Sequence, residues 1–413
     1  MTPDDSLSDA LSAVLRFGAL MLRAGDEAFR VREAMGLVAD RMGIESLQVH
    51  IALNSMMATA RRADEQATVV REISPIGIDA WRIAALDSLA RSRSGGLSAG
   101  FLSDALDAIE TAPPLHSILT VALAIGLASG SFSYLNGGDS LGTVAAALAG
   151  AAGQALRALQ FRRRRNQFAV TALCAMFTAG LYCLFIAAAG TAFTSANAAG
   201  FIFSVLFLVP GFPLVASLLD LVQHQTVAAL ARLAYALMVL LAAAVGLSAV
   251  AAIADVAVQP PLTAASMVDL QRWAMRALAS LVGGCGFAIL YNSSTRVVLA
   301  VGVLSLLGNE LRLGLHDLGL ALPSATFLGA LLVGLLASMG RAALNEPRIV
   351  LTVPSIIIMT PGLYAFQTIV LLNQGEVLPA VQAAASCLFI VGAMALGLAA
   401  ARFATDRQWL TER

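Results

Sequence analysis

The sequence contains no lysine and carries little charge of either sign. Charged residues make up 13% of its 413 residues and hydrophobic residues 58%, whereas soluble domains carry about 25% charged residues. All 26 basic residues are arginine, and the formal net charge is zero. This balance argues against nucleic-acid binding, which needs a basic surface. The composition also excludes a soluble protein over the whole length and is typical of a membrane protein.

Cysteine is also scarce, and no recognisable leader or active-site pattern is present. The four cysteines lie in apolar runs without CxxC spacing, so we interpret them as packing residues and predict no metal site. The N-terminus, MTPDDSLSDALSAV, lacks the basic region of a signal peptide. No acid or base has the spacing of an enzyme active site, so we predict neither catalysis nor a cofactor.

Charge is distributed unevenly along the chain. Up to Ala112 there are 11 arginines and 16 acidic residues, and from Pro113 onward there are 15 arginines and only 10 acidic residues. This predicts a small cytoplasmic α+β domain at 1–113 followed by a membrane region. Within the domain, helices are predicted near 6–24, 26–43, 78–92 and 98–111, and strands at 46–53, 55–61 and 67–73. Gly25 suits a helix C-cap and Asp26 an N-cap.

From residue 116 onward, apolar stretches of roughly 17 to 25 residues alternate with short polar breaks, as transmembrane helices require. They predict a mostly α-helical membrane protein with about ten spans, arranged as two groups of five over 114–256 and 270–405. The predicted spans are 116–135, 140–160, 168–190, 198–219, 233–254, 274–292, 297–315, 322–340, 349–373 and 380–402.

Arginine placement predicts the orientation, because cytoplasmic loops are enriched in basic residues. With the N-terminal domain in the cytoplasm, the opposite side receives chiefly Arg272 and Arg276, and both termini are cytoplasmic. The same-side arginines are Arg162 to Arg165, Arg232, Arg296, Arg341, Arg348, Arg402, Arg407 and Arg413.

Short motifs recur at a nearly constant offset. GQALRA at 153–158 matches GNELRL at 308–313, and the pair Pro210-Gly211 precedes Pro361-Gly362 by 151 residues. Five spans per copy is an odd number, so the second copy would enter the membrane from the opposite side. This predicts a 5+5 inverted repeat, an architecture of many secondary transporters.

Each half carries a Pro-Gly pair inside an apolar span, in LVPGFPL (208–214) and MTPGLYAF (359–366). Proline breaks the helical ladder, and unpaired backbone groups persist at membrane depth only inside protein or beside a water-filled cavity. A simple proline kink is the alternative. The matching positions favour a substrate site where helix N-termini attract a carboxylate. The predicted site residues are Pro210, Gly211, Pro213, Thr360, Pro361, Gly362, Tyr364 and Gln367.

Other polar residues within the spans are candidates for a coupling pathway, because a charged side chain at the bilayer centre costs at least about 2.5–3.5 kcal/mol. Glu310 is the favoured proton carrier. In the alternative, the arginines snorkel to the nearer surface and Glu310 lies at the headgroups. Asp220, after the fourth span, is interpreted as solvated. The candidate set is Gln154, Arg157, Asn309, Glu310, Arg312 and Asn136.

Several longer motifs carry a family resemblance. They are RAGDEAFRVREAMGLVADRMG (23–43), NGGDSLGTVAAALAGAAGQALR (136–157), LVPGFPL (208–214), GFAILYN (286–292), ATFLGALLVGLL (325–336) and PSIIIMTPGLYAF (354–366). Over nearly its whole length, the chain resembles the bacterial threonine/serine exporter family. The resemblance implies a protein of the bacterial cytoplasmic (inner) membrane with about ten spans, which exports threonine and serine using the proton motive force. Relatives that divide the halves between two polypeptides are associated with dicarboxylate export.

We therefore expect a proton-coupled secondary transporter that exports small amino acids, with a small-molecule substrate and membrane lipid as its partners. The alternative is a dicarboxylate exporter, which would need extra positive charge from Arg157 and Arg312. A membrane-anchored scaffold or enzyme is less favoured, because ten spans exceed what an anchor needs. The sequence leaves open whether several copies assemble into a homo-oligomer.

Overall fold

A computed structural model describes residues 6–52, 54–73, 77–92, 96–163, 165–191, 193, 195–254, 256, 270–406 and 409. Arg164, Arg407 and Arg413, which the orientation prediction used, lie outside this part. The chain forms two compact units. The first contains the described residues up to Leu115 together with Ala216–Ala234 and Tyr291–Ser293, and the second contains the remainder.

The first unit combines four helices with one small sheet, at the positions that the sequence predicted. Strands β1, β2 and β3 pair antiparallel in that order, with Ile51 opposite Met56 and Arg62 opposite Glu65. The elements are α1 (Leu7–Arg23), α2 (Ala28–Arg41), β1 (Ser46–Ile51), β2 (Ser55–Arg62), β3 (Glu65–Glu72), α3 (Ala80–Arg91) and α4 (Ala99–Thr111).

Helix α1 supplies the centre of the first unit's core. Its apolar residues recur at helical spacing, so Leu11, Leu15 and Phe17 are fully buried with the inner face of β2. The helix begins at Ser6, whose hydroxyl accepts a hydrogen bond from Asp9 N at 3.2 Å. A capped amphipathic helix packed on a sheet explains why this unit buries a core despite its many charges.

The turn between α1 and α2 depends on a left-handed glycine. Gly25 has φ +98°, and the following amide, Asp26 N, donates back to Met21 O at 3.2 Å. The predicted N-cap role of Asp26 is wrong, because Glu27 occupies that position. The Asp26 carboxylate instead accepts from Arg30 Nε at 2.8 Å.

A buried charge cluster extends from this turn. Arg30 also binds Asp87 at 2.9 Å, and Arg232 donates to the Asp26 carbonyl at 2.7 Å. Asp220 is 0% exposed and lies 3.6 Å from Arg232, so its interpretation as a solvated residue is wrong. Charges can remain buried here because each carboxylate faces a guanidinium.

The second unit is built from long apolar helices and two broken ones. One-turn 3₁₀ helices at Leu206–Leu208 and Ile357–Met359 interrupt the broken helices. The helices are α5 (Ile118–Leu135), α6 (Ser140–Arg162), α7 (Gln167–Ala188), α8 (Ser195–Ser204), α9 (Gly211–Val222), α10 (Thr226–Ile253), α11 (Leu270–Leu290), α12 (Thr295–Asp317), α13 (Leu322–Leu344), α14 (Arg348–Ile356), α15 (Gly362–Asn373) and α16 (Val377–Thr405). The end of α9 and the start of α10 belong to the first unit.

Seven of the described helices are long and apolar enough to cross a membrane, and the two bent pairs bring the total to nine. The chain is therefore a mostly helical, multi-pass membrane protein. Helix α6 is not among these nine, although it lies where the second span was predicted. Its many glycines and alanines lower its hydropathy, and a tenth span stays a prediction.

The same glycine contacts recur in the two halves of the second unit. A Cβ on Gly246 of α10 would collide with the Ala172 carbonyl oxygen and lie 2.9 Å from Ala175 Cβ. A Cβ on Gly397 of α16 would lie 2.5 Å from Phe327 O and 2.9 Å from Ala330 Cβ. Gly397 follows Gly246 by 151 residues, and the contacted residues Phe327 and Ala330 each follow Ala172 and Ala175 by 155 residues. These are the offsets of the sequence motifs. Small residues thus allow equivalent close helix packing in both halves.

We predict that Gly25→Ala destabilises the protein. Alanine at φ +98° is strained, and its Cβ would lie 2.8 Å from the Gly77 carbonyl oxygen, so a loss of about 1–3 kcal/mol is expected. Gly36→Ala is the matched control, since no atom lies within 4 Å of its Cβ position in α2, and it should gain about 0.5–1 kcal/mol. Thermal unfolding of the full chain in detergent measures both, and an unchanged midpoint for Gly25→Ala would contradict the prediction.

Candidate functional site

Two helices are broken at the predicted Pro-Gly pairs. The segments Asn197–Leu208 and Gly211–Val222 are bent by 63° relative to each other, and Arg348–Met359 and Gly362–Asn373 by 51°. Pro210 and Pro361 stand at the two bends. Because proline cannot donate to the helical ladder, a new helix starts at the following glycine in each case.

The backbone hydrogen bonds are the same at both breaks. In the first break, Val209 N donates to Leu206 O at 2.9 Å and Gly211 N donates to Val209 O at 2.8 Å. In the second, Thr360 N donates to Ile357 O and Gly362 N donates to Thr360 O, both at 2.9 Å. These turn hydrogen bonds satisfy some of the backbone groups that lose their helical partners at the proline. The two bends therefore have the same hydrogen-bonded structure.

The two breaks contact each other. A Cβ on Gly211 would lie 3.5 Å from Ile357 Cγ1 and 3.5 Å from Thr360 Cγ2, and a Cβ on Gly362 would lie 3.2 Å from Leu206 Cδ1. Residues 201–212 and 349–363 are all buried. The predicted site residues Gly211, Thr360 and Gly362 are therefore brought together inside the protein, and the two breaks approach each other closely at the glycines.

The start of α15 presents free backbone donors. Gly362 N is used in the turn, and Ala365 N donates to Pro361 O at 3.1 Å. Between them, the N–H groups of Leu363 and Tyr364 have no acceptor within the described ranges. Helix N-termini attract carboxylates through such donors and the helix dipole. In α9, Pro213 stands at the position equivalent to Tyr364 and has no N–H group to donate.

Beside the first break lies the predicted residue Gln154. The Phe207 ring packs on α6, because a Cβ on the neighbouring Gly153 would lie 2.9 Å from Phe207 Cζ. The Gln154 side-chain oxygen and the Thr178 hydroxyl are both buried and lack a hydrogen-bond partner in the part of the chain that the structure describes. Arg157, one turn further along α6, places its guanidinium 5.1 Å from the Phe161 ring centre. Buried polar atoms without partners are rare and often mark ligand or water sites.

Beside the second break lie Asn309 and Arg312. A Cβ on Gly308 would lie 2.8 Å from Met359 Cε, so this break packs on α12 as the first packs on α6. Asn309 donates to Ser280 Oγ at 2.9 Å and accepts from Arg312 at 3.2 Å. Arg312 also donates to Thr326 Oγ1 at 3.1 Å. These hydrogen bonds fix Arg312 inside the protein between α11, α12 and α13.

The remaining predicted residues lie at other places. Glu310 faces Arg276 of α11 at 3.5 Å, and Arg276 also binds Asp317 at 2.7 Å. Asn136 is at the end of α5, where its side-chain amide donates to Phe132 O at 2.8 Å. Gln367 is 5% exposed and follows the second break by one and a half turns. No group of three or more His, Cys, Asp or Glu among the described residues could hold a metal ion.

Sequence reasoning missed several buried polar residues around the breaks. Ser305 donates to Ser355 O at 3.0 Å, and both are 0% exposed. Ser204, the equivalent of Ser355, is a polar residue near the first break that the sequence does indicate, and its carbonyl oxygen lies 3.3 Å from a Cβ position on Gly150. The offsets of 155 and 151 residues connect these positions and would have identified them. The offset of 155 residues also relates Thr326 to Thr171, whereas Thr178 corresponds to Val333 and carries no such signal.

Long apolar helices, two of them broken and with buried polar residues beside the breaks, define this chain as a multi-pass membrane protein. Residues 12–254 match the model of the ThrE family of threonine/serine exporters, and residues 276–404 match a second model described as "Threonine/Serine exporter, ThrE". The chain therefore belongs to the threonine/serine exporter family.

Curated relatives are similar at moderate identity. The "Probable threonine/serine exporter" of Mycobacterium tuberculosis is 27% identical over 375 residues, covering 87% of this chain and 69% of the relative. The "Probable succinate transporter subunit YjjP" of Escherichia coli is 27% identical over 236 residues, covering 56% and 90%. The protein of the same name from Klebsiella aerogenes is 28% identical over 230 residues, covering 55% and 86%. No solved structure matches the chain significantly.

We predict that Gly308→Ala disturbs the second break. The added methyl group would collide with Val333 and lie 2.8 Å from Met359 Cε, and overpacking of this kind costs about 1–3 kcal/mol. Gly314→Ala in the same helix is the matched control, since its Cβ position has no atom within 4 Å. The midpoint of thermal unfolding in detergent should fall for Gly308→Ala alone. Equal midpoints for the two variants would show that the close packing of Met359 on α12 is not required.

Proposed function

We propose that this protein exports small amino acids of the threonine/serine type across the bacterial cytoplasmic membrane, with the two helix breaks as its substrate site. The observation that carries the proposal is the contact between Gly211 and the Ile357–Thr360 turn. Buried polar atoms flank this contact on both sides. Membership of the threonine/serine exporter family supports the direction of transport and the substrate class.

The proposed architecture is a 5+5 inverted repeat with ten spans, in which α6 and α12 are equivalent. Support comes from the identical turns at the breaks and from the equivalent packing of Phe207 on Gly153 and Met359 on Gly308. Helix α6 needs little hydropathy because its glycines meet neighbouring helices instead of lipid. The arginine distribution supports a cytoplasmic location for both termini and the first unit.

A zwitterionic substrate suits the groups at the breaks. Its carboxylate would bind the free amides of Leu363 and Tyr364, where the N-terminal end of α15 favours negative charge. Its ammonium group needs acceptors, and the buried oxygens of Gln154 and Thr178 beside the first break have none of their own. In the closed arrangement described here the breaks touch, so binding requires them to separate. Alternating access would then be a rocking of one half against the other.

Glu310 is the proposed site of proton coupling. Its side chain is 9% exposed and shares Arg276 with Asp317, which is 49% exposed. Protonation of Glu310 would remove its charge and so its ionic attraction to Arg276. The ion pair between Arg276 and Asp317 would remain. Since the pair joins α11 to α12, gain and loss of the proton would change how firmly these two helices are held together.

A dicarboxylate exporter is the second candidate, and the relatives named as succinate transporter subunits favour it. A second carboxylate needs a cation near the breaks. Arg312 lies beside the second break, because a Cβ on Gly329 would lie 3.2 Å from Arg312 Cβ and 3.3 Å from Met359 Cε. It already donates to Asn309 and Thr326. These existing bonds favour the amino acid over the dicarboxylate.

We predict that an imposed pH gradient drives the movement of labelled threonine across the membrane of proteoliposomes containing this protein. The same gradient should not drive labelled succinate. Amino-acid selectivity follows from the free amides and neutral oxygens at the breaks. Protein-free liposomes are the control for leakage. Movement of succinate without threonine would select the dicarboxylate function, and movement of neither would contradict both.

We predict that Glu310→Gln abolishes coupling to the pH gradient while threonine counterflow at equal pH continues, because the amide keeps the shape but cannot carry the proton. Asp317→Asn is the matched control, since Asp317 contacts the same arginine from an exposed position and its loss should leave coupling intact. If both variants retain the dependence of flux on the gradient, Glu310 is not the carrier.

A further inference from the structure

The first unit contains a cavity of about 280 Å³ that the export mechanism does not use. Its walls are the end of α1, the segment before α3, the start of α3 and the end of α4. Drug-sized ligands occupy pockets of roughly 300–1,000 Å³, so this volume suits a small metabolite. Charged residues of both signs and five apolar side chains share the lining, and the charged ones are Arg23, Asp79, Arg82 and Glu110.

The cationic side of the cavity has spare donor capacity. Arg82 uses one terminal nitrogen to bind Glu110 O at 3.2 Å and Ala112 O at 3.3 Å. Its Nε is buried and donates no hydrogen bond to any residue that the structure describes, and an Asp79 carboxylate oxygen lies 3.5 Å away. Arg23 binds Glu110 through a single terminal nitrogen at 2.9 Å and is 43% exposed. Two guanidinium groups with unused donors are suited to binding a carboxylate.

On the anionic side of the cavity, Glu110 is held in the charged form. Glu110 lies between two arginines, with its second oxygen 3.0 Å from Arg16. The hydrogen bond from Arg16 lowers the pKa of Glu110, and the charge of Arg23 acts in the same direction. Asp79 accepts from the Arg82 amide at 3.1 Å and from Asn292 Nδ2 at 3.0 Å through one oxygen. Its other oxygen is left with the 3.5 Å contact to Arg82.

We propose that this cavity binds a small zwitterionic α-amino acid as a regulatory ligand. The carboxylate binds Arg82 and Arg23, the ammonium group binds Asp79 and Glu110, and the side chain lies on the apolar wall formed by Leu20, Ile78, Leu86 and Ile109. The two positive and two negative charges are balanced, which suits a zwitterion. A dicarboxylate would bring its second negative charge against Asp79 and Glu110. The site is separate from the helix breaks, so binding here does not depend on the proposed function.

The cavity is connected to the segment that joins α11 to α12. Asn292 donates to Asp79 and accepts from Leu115 N at 2.8 Å, and Ala80 N donates to Tyr291 O at 2.8 Å. A ligand that binds Asp79 therefore contacts the same carboxylate that accepts the hydrogen bond from Asn292. The consequence, which rests on the proposed export function, is that the amino-acid level on the side of the first unit adjusts transport through this segment.

Trp81, next to Arg82 in α3, allows binding to be measured without transport. The chain has three tryptophans, so Trp273→Phe with Trp409→Phe leaves Trp81 as the reporter in the full-length protein. We expect L-threonine to change Trp81 fluorescence saturably in detergent, whereas succinate does not. Arg82→Gln should raise the Kd about tenfold or more, because it removes hydrogen bonds to a charged group. Arg91→Gln, at the other end of the same helix, is the matched control and should leave the Kd unchanged.

A second variant tests the site independently, in case Arg82→Gln does not fold. Ile109→Phe fills the cavity while keeping every charged residue, and it should also weaken the fluorescence response about tenfold or more. The proposal is overturned if threonine gives no saturable change, or if all variants bind with the same Kd. Threonine flux in proteoliposomes separates the two functions. Lost flux with a retained Trp81 response would reject export alone, and retained flux without the response would reject this site alone.

Discussion

The backbone of a helix broken within a membrane must find its hydrogen-bond partners inside the protein, because lipid offers none. The two breaks of this chain meet that constraint in the same way, with a one-turn 3₁₀ helix, a tight turn across the proline and a new helix starting at glycine. They are buried against each other through Gly211 and Gly362. Because the breaks are shielded by each other, polar groups beside them can be buried in protein rather than exposed to lipid. The candidate site consists of these groups.

Glycine makes this arrangement possible at several levels. Gly153 and Gly308 let Phe207 and Met359 approach α6 and α12, and Gly246 and Gly397 let the last helix of each half lie against the third. Gly153 and Gly308 are each followed by an amide residue, Gln154 and Asn309. Close approach without bulky side chains leaves room beside the breaks for groups such as Gln154 and Asn309, and van der Waals contact between backbones replaces the hydrophobic driving force that is missing in lipid.

Distant parts of the first unit are joined by contacts of charged side chains, whereas helices of the second unit pack closely at glycines. Asp26 joins Arg30 within α2 to Arg232 of α10, and Asp79 joins α3 to Asn292. Each of these contacts connects the N-terminal part of the chain to a residue about 200 positions further along the sequence. Breaking one partner of a buried pair is costly because it leaves the other charge uncompensated. Such ties are therefore well suited to transmit a change in one part of the unit to another.

The sequence by itself determined the helices and strands, because hydrophobic period, capping residues and Pro-Gly pairs act locally. It located both breaks, the offset between the halves and the family, but it missed buried polar residues beside the breaks such as Ser305 and Ser355. Only the tertiary structure decided which polar residues face one another. Glu310 and Asn309 are neighbours in the chain, yet one faces Arg276 and the other Ser280. Asp220 is buried by Phe29 and Arg232, residues 191 and 12 positions away. Local pattern cannot supply such pairings, since they depend on how helices distant in sequence rotate and pack together.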